Sequence, residues 1–579
     1  MHDALPRILL SSCPKGYTKD LDKAVSPRDT IANVRKRLSA LNLDILAATE
    51  RVDRGRLGIP VFISRAGVDA KRIMPTRKQM GKGSSKEQAE ASAIMELVER
   101  FSYFSFWETP RYFQTLFFSE AEKRFGSALL PVTEILKSVQ ENLPIENARK
   151  IFSLVPWTFY PATNLANGET VWIPLDWFKT INEFNGCSAG NSTEESILQG
   201  LCELIERHVC ALISKEERRT PTILQESARD ETLRSLFQAF SREHINLILK
   251  DFSLDMPLPT VACVAWDPKT FPEHSEIVFT AGTASSPEKA AIRAVTEVAQ
   301  LAGDFCTNAC YEASGLPKYT SLTDIDWLLE GPSIRFEAIA GVEREDIADE
   351  IRTAIAQLDP LHVYSVQTSY PPLGIPAHYT IIPGLSFRER DTNQSLGLFV
   401  GRKLVEEGDR EAVEKGLQDI ESVYGQAHFI PFFKGMFAMR NEDFNEAETW
   451  FTKAIALQPD KTAKGLATFY AGYSLSQKGD WEKALPVLTQ AHELCPDMKE
   501  YANYLGVALF KTKAYREAKT LFQKALSIDK GSATDLANLG LCEKMLGERE
   551  KAKEHLEEAF ALDQSLLFAK QHLDELTKQ

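Results

Sequence analysis

The C-terminal quarter of this 579-residue chain repeats, and the repeat leaves one economical way to fold it. Gly435, Gly472, Gly506 and Gly540 are each followed twelve residues later by Ala447, Ala484, Ala518 and Ala552. Four residues on stand Phe451, Leu488, Phe522 and Leu556, and three further Ala454, Ala491, Ala525 and Ala559. Pro459 and Pro496 close the first two units, and the glycines are 37, 34 and 34 residues apart. Small residues at fixed offsets let the two helices of a hairpin approach closely. One hairpin cannot bury its own apolar face, so neighbours must stack into a solenoid.

The period is that of tetratricopeptide (TPR) repeats. About four repeats are expected over 427–579, with the amphipathic "LLFAKQHLDELTK" as a capping helix. Residues 391–426 are polar and partly helical, and are expected to bridge. Over 1–390, apolar runs such as "GIPVFIS", "TVWIPL", "PTVACVAW", "EIVFTAG" and "AHYTIIPGL" alternate with amphipathic helical stretches. That pattern predicts an α+β domain with its core over about 60–390, followed by an all-α solenoid.

A net charge of −14 argues against general nucleic-acid binding, which needs clustered Lys and Arg. No apolar run reaches the roughly 20 residues of a membrane span. Nine cysteines (13, 187, 202, 210, 263, 306, 310, 495 and 542) are few for this length and odd in number, as in a reduced cytoplasmic protein. The N-terminal "MHDALPRILLSSC" lacks the basic start and long apolar run of a signal peptide.

Three helical segments share one design: "SSKEQAEASAIMELVERFSYF", "EESILQGLCELIERH" and "EKAAIRAVTEVAQLA". At about 100° per residue, Ser85, Gln88, Ser92, Glu96 and Glu99 fall in one stripe. Glu195, Gln199, Glu203 and Glu206 form a second stripe, and Arg293, Glu297 and Gln300 a third. Ile94, Leu97, Val98 and Phe101, then Leu201, Leu204 and Ile205, then Val295 and Val298, form the opposite faces. Arg100 and Arg207 complete E-x-x-E-R in the first two. A single such motif is usually a solvated face with internal charge pairs. Three matched stripes admit another reading, in which they meet in one cleft. Two carboxylates 5 Å apart repel by roughly 3 kcal/mol at an effective dielectric of about 20, so five together need protons or divalent cations. Hard oxygen donors select Mg²⁺ or Mn²⁺, which keep open positions for phosphate oxygens.

The chain has no P-loop, kinase glycine loop or dinucleotide fingerprint. "GKGSSKE" (81–87) only resembles a P-loop end; before the first stripe, its N–H groups and Lys82 could meet a phosphate at the helix N-terminus.

In order, "GKGSSKEQAEASAIMELVERFS", "NGCSAGNSTEESILQGLCELIERH" and "EKAAIRAVTEVAQ", with "GIPAHYTIIPGL" near the end, resemble the blocks of the YcaO family. The likeness covers about residues 1–390. It implies an ATP- and Mg²⁺-dependent enzyme that activates a backbone amide of a peptide or protein. Glu96, Glu99, Glu203, Glu206 and Glu297 would hold Mg²⁺. Ser92, Asn191, Glu195, Arg207 and Arg293 would contact nucleotide or order the metal ligands. In "DKAVSPRDTIANV", Lys23 and Thr30 match a family Lys and Ser, the Thr being a departure; residues 1–59 would thereby contribute to the nucleotide site. No side chain is nominated as catalytic. The product would be an azoline, a thioamide or an amidine, according to the nucleophile. Azoline-forming members commonly end in Pro-x-Pro-x-Pro, whereas this chain ends "HLDELTKQ", so thioamidation or an accessory role in methylthiolation of a ribosomal protein is expected instead. The corresponding partners are a TfuA-like protein or a methylthiotransferase. TPR-mediated protein contacts and a homodimer are also expected. The alternative is a non-catalytic TPR scaffold whose nucleotide site only senses ATP.

Cys306 and Cys310 read as core or incidental thiols rather than metal ligands, Cys187 as packing rather than a nucleophile, and His208 as structural. "FSYFSFWETPRYF" (101–113) reads as core.

Overall fold

The computed structural model describes residues 5–53, 56–109, 111–302, 305, 319, 321–387, 394–528 and 531–577. It divides into two compact units, Met1–Ile145 with Pro156–Thr392, and Glu146–Val155 with Asn393–Gln579.

The first unit is built on three sheets. Leu46–Arg51, Val61–Ala66 and Lys78–Lys82 form an antiparallel three-stranded sheet in that order. A five-stranded sheet runs Val278–Thr283, Thr260–Trp266, Asn246–Asp251, Thr222–Ile223 and Ser333–Ile334, antiparallel except for its last pair. The third runs Gln114–Phe117, Pro156–Asn164, Tyr364–Gln367, Ala377–Ile381 and Cys187–Ala189, with Thr170–Pro174 also paired to Pro156–Asn164. Every apolar run singled out in the sequence supplies a strand. "TVACVAW" shows why it reads as continuously apolar rather than alternating. Ala262 and Val264 enter one core cluster while Val261, Cys263 and Ala265 enter another, so both faces of the strand are dry.

Three long helices follow three strands: Lys86–Glu108, Thr193–Glu216 and Pro287–Ala302. Their predicted apolar faces are fully enclosed; Ile94, Leu97, Val98, Leu201, Leu204, Ile205, Val295 and Val298 have no exposed surface. The aromatic stretch begins in the C-terminal half of the first helix, where Phe101 and Tyr103 are core, and Tyr103 meets Phe184 and Tyr379 edge-on.

The second unit is helical. Glu146–Val155, most of the helix Ile145–Phe152, belongs to it, and Lys150 pairs with Asp419 at 2.8 Å. The segment read as a bridge forms the helices Leu396–Glu407 and Arg410–Tyr424. Four hairpins then run from Phe429 to Leu562, and Leu567–Thr577 packs Ala569 against the last. A side chain at Gly435, Gly472, Gly506 or Gly540 would sit 2.8–2.9 Å from Phe451, Leu488, Phe522 or Leu556 respectively. Each glycine is thus the notch that receives the large residue sixteen positions on.

This notch makes the repeat testable. Gly506→Ala is expected to destabilise the helical unit by about 1–3 kcal/mol through overpacking against buried Phe522, and adding Phe522→Leu should recover part of the loss. Thermal unfolding followed by circular dichroism reads both. A pair that is simply additive would mean the two sites do not touch.

Candidate functional site

The three long helices are the second halves of three copies of one strand–turn–helix unit. Gly81, Ser188 and Gly282 occupy the same strand position. Four residues later stand Ser85, Ser192 and Ser286, at the helix starts. The Ser85 and Ser192 hydroxyls accept from the N–H groups of Gln88 and Glu195, a standard N-terminal cap. Eight and twelve residues after the strand position come the residues on which it presses. A side chain on Gly81 would strike Ala89 and Ala93, and one on Gly282 would strike Ala290 and Ala294. In the middle copy Ser188 fills that space, with its Oγ and carbonyl near the Ser196 hydroxyl and Gly200.

These small contacts lie between the apolar face and the polar stripe of each helix. By fixing how closely strand and helix approach, they fix the helix's rotation and so aim the stripe. The aimed positions then correspond: Ser92, Gln199 and Arg293; Glu96, Glu203 and Glu297; Glu99, Glu206 and Gln300.

All three stripes line one cavity of about 340 Å³. Glu96, Glu99, Glu203, Glu206 and Glu297 are in its wall, with Ser92, Asn191, Glu195, Arg207 and Arg293. Lys82 comes from the end of its strand, Lys23 from the N-terminal segment and Thr30 from the helix Pro27–Ala40. Every residue nominated from sequence is therefore gathered in one place. Lys82 ion-pairs with Glu297, Arg293 donates to Gln199 at 2.8 Å, and Asn191 donates to both oxygens of Glu195. Glu195 also accepts from the Ala24 N–H and lies 3.6 Å from Lys23, which ties the N-terminal segment to the second helix. Lys289, at the start of the third helix, holds the same segment by donating to the carbonyls of Thr18 and Lys19.

The carboxylates carry the electrostatic burden of this arrangement. Burial, and then the charges of their neighbours, raise Glu96 and raise Glu99 strongly, against the pull of Arg100. Glu206 is pushed up to about 7, by burial first and by Glu297 second. Such acids hold protons near neutrality unless cations replace them. Among the described residues no three carboxylate, imidazole or thiolate groups already close on one point. Mg²⁺ asks less: one or two carboxylates, with water and phosphate oxygens completing an octahedron. Five facing carboxylates, of which burial drives Glu96, Glu99 and Glu206 towards protonation, in a cavity with room beside them, fit that requirement.

Sequence reasoning passed over Asp20 and Ser84, which bond to each other in the cavity wall, and gave Arg100 no role. Asp20 had no motif to mark it. Ser84 lay in plain view in "GKGSSKE". Cys187 is buried on its short strand and burial raises its thiol well above the ordinary value, so it packs rather than attacks. His208 is buried, lowered to about 4, and accepts from the Ser386 N–H, a structural role. Cys306 and Cys310 lie outside the described residues. Among the described residues no helix is long and apolar enough to cross a membrane.

A profile of the YcaO family, described as a cyclodehydratase that binds ATP and Mg²⁺, matches residues 80–386. TPR profiles match residues 432–461 and 500–528. An uncharacterized protein of Methanothermobacter thermautotrophicus is 30% identical over 48% of this chain and 70% of its own. An uncharacterized protein from the tfuA 3′ region of Rhizobium leguminosarum bv. trifolii is 25% identical, over 48% of this chain and 66% of its own. The ribosomal protein S12 methylthiotransferase accessory factor YcaO of Escherichia coli is 27% identical, over 53% of this chain and 57% of its own. The chain thus spans two thirds or less of the last two. A solved heterocyclase with substrate and cofactor shares the fold, with a TM-score of 0.52 and 19% identity over 67% of this chain and 55% of its own.

The buried acids give the site a pH signature. A carboxyl that titrates at about 7 when folded and near its ordinary 4.5 when unfolded keeps an extra proton on the folded state between those values. Stability of the protein in chelator is therefore expected to fall as pH rises from about 4.5 to about 7, and Glu206→Gln should flatten that fall. Denaturant melts across pH decide it; an unchanged slope in the variant would place the Glu206 carboxyl in water.

Proposed function

Because the chain belongs to the YcaO family, we propose that it activates a backbone amide of a peptide or protein by ATP-dependent phosphorylation of the amide oxygen. What carries the reading is the convergence of five glutamates from three strand–turn–helix copies on one cavity that also presents Lys23, Lys82, Arg207 and Arg293.

An amide is a poor electrophile because its nitrogen donates into the carbonyl and its oxygen is a bad leaving group. A nucleophile adds to the amide carbon, and the amide oxygen takes the terminal phosphoryl group as the bond to the β-phosphate oxygen breaks. Phosphate then departs with that oxygen, and the nucleophile's proton passes to solvent. The protein's task is placement and charge compensation more than covalent attack. Glu96, Glu99, Glu203, Glu206 and Glu297 would hold Mg²⁺, which supplies compensation for the charge on the phosphates. Lys23, Lys82, Asn191, Glu195, Arg207 and Arg293, with the hydroxyls of Ser92 and Thr30, would hold and orient the nucleotide. Ser85 and Ser192 keep the helix starts capped, so the turns that carry Lys82 and Asn191 stay fixed.

Within the family's products we favour a thioamide, or an accessory role in methylthiolation of a ribosomal protein. One relative is named for methylthiotransferase accessory function, which is sulfur chemistry, and another for its place beside tfuA, which suits a TfuA-like partner. The TPR array would dock the protein substrate, a TfuA-like or methylthiotransferase partner, or a second copy of the chain in a homodimer.

Purified protein is expected to form ADP from ATP only with Mg²⁺, and faster with a peptide substrate and sulfide. Glu203→Gln should lower the rate about a hundredfold or more. ADP release followed with a coupled assay reads this. Equal turnover in wild type and variant would sink the catalytic reading, and tight MgATP binding without any turnover would favour a nucleotide-sensing scaffold.

A further inference from the structure

The cations of the cavity are not equivalent. Lys23 faces Glu195, Lys82 is paired with Glu297 and Arg293 is bonded to Gln199. Arg100 is held differently. Its guanidinium lies over the Phe184 ring, 4.6 Å from the centroid, and Phe184 is itself wedged against Tyr103 and Phe104. Its Nη1 is 3.3 Å from Glu99 Oε1, shielded from solvent, yet makes no hydrogen bond. The group is thus fixed in orientation by an aromatic face and balanced in charge by the nearby carboxylates, Glu99 nearest and then Glu96, with donor capacity unspent in the wall of a cavity.

Position adds to this. Arg100 lies twelve residues, about 18 Å of helix, beyond Gln88 at the first turn, whereas Lys82, Lys23 and Asn191 stand by the helix starts. Glu99 is also one of the five acids whose charge a bound cation would compensate. A carboxylate committed to a metal no longer satisfies its arginine. Occupying the acid cluster therefore releases Arg100 for another anion, farther along the helices than Lys82, Lys23 and Asn191 and at the level of Arg207, its counterpart in the second copy.

We propose that Arg100 is the receptor for a second oxyanion, the inorganic phosphate that separates from ADP over the reaction cycle. The proposal rests on the ATP reading above and adds to it a phosphate subsite distinct from the nucleotide's own contacts. A planar guanidinium suits a tetrahedral oxyanion because two parallel N–H groups can address two oxygens, which an ammonium cannot do.

The experiment uses the full chain, saturating MgADP and inorganic phosphate as the probe, with binding read by calorimetry and by ³¹P line broadening. Wild type is expected to bind phosphate; Arg100→Gln should weaken that binding about tenfold or more while MgADP affinity stays within about twofold. Arg100→Lys, which keeps charge without the fork, should fall between, and it carries the test alone should the glutamine variant not fold. Phosphate binding unchanged in either variant overturns the proposal, as does an equal loss of MgADP, which would make Arg100 a nucleotide contact or a structural residue. A wild-type chain that binds no MgADP overturns the ATP reading itself, and phosphate binding that survives there would locate the failure in that reading alone.

Discussion

Mutual repulsion among carboxylates is the constraint around which the first unit is arranged. Glu96, Glu99, Glu203, Glu206 and Glu297 face one cavity, and burial already lifts three of them, Glu96, Glu99 and Glu206, towards protonation. A fold dominated by its own stability would not concentrate such groups. The opposing contribution comes from the far sides of the same helices, where Ile94, Leu97, Leu201, Leu204, Val295 and Val298 are wholly dry. Each fully buried aliphatic side chain contributes about 1.5–3 kcal/mol, so three enclosed helix faces can carry an electrostatic cost of this kind. The Gly81–Ala89 and Gly282–Ala290 contacts then convert packing into aim, since a helix that approaches its strand this closely has little freedom to roll.

The N-terminal segment is held by the same economy. Lys15 bridges Asp22 and Glu350 at 2.7 Å each, and all three side chains are nearly inaccessible. Ser285, in the turn before the third helix, donates to the other oxygen of Glu350. Lys23 therefore reaches Glu195 from a backbone anchored one residue away by a buried ion pair and, at Thr18 and Lys19, by Lys289. Buried pairs of this sort are costly to break from one side, which suits a segment that must hold one register while long-range contacts define the site.

How much of this could be read from the sequence depends on what kind of repetition produced it. The solenoid was legible because its units are contiguous and its notch residues, Gly506 and Phe522 among them, recur at constant offset. The stripes were legible because 3.6-residue periodicity puts Glu96 beside Glu99 without tertiary information. The correspondence of the three strand halves was not. Its marker is Gly81, then Ser188, then Gly282, three residues whose common property is smallness, at intervals of 107 and 94 residues. Arg100 was visible in its motif, but its distinction comes from Phe184, eighty-four residues away. Asp20 depends on a bond to Ser84 across the same kind of distance. The membership of Glu146–Val155 in the helical unit leaves no local trace either, since an amphipathic helix reads the same whichever core it joins.

Two modes of repetition therefore coexist in one chain, with opposite consequences for sequence. Solenoid units are related by translation, so each meets the same surroundings and can keep the same residues. The strand–turn–helix copies instead point at one cavity, and equivalent positions become neighbours. Identical charges there would compound the repulsion, and the copies differ accordingly: Ser92, Gln199 and Arg293 at one position, Glu99, Glu206 and Gln300 at another. Among the three aimed positions only Glu96, Glu203 and Glu297 are acidic in every copy, and there Lys82 reaches across to pair with Glu297. Divergence at the aimed positions and conservation of smallness at the contacts that aim them are what convergence on a charged centre requires.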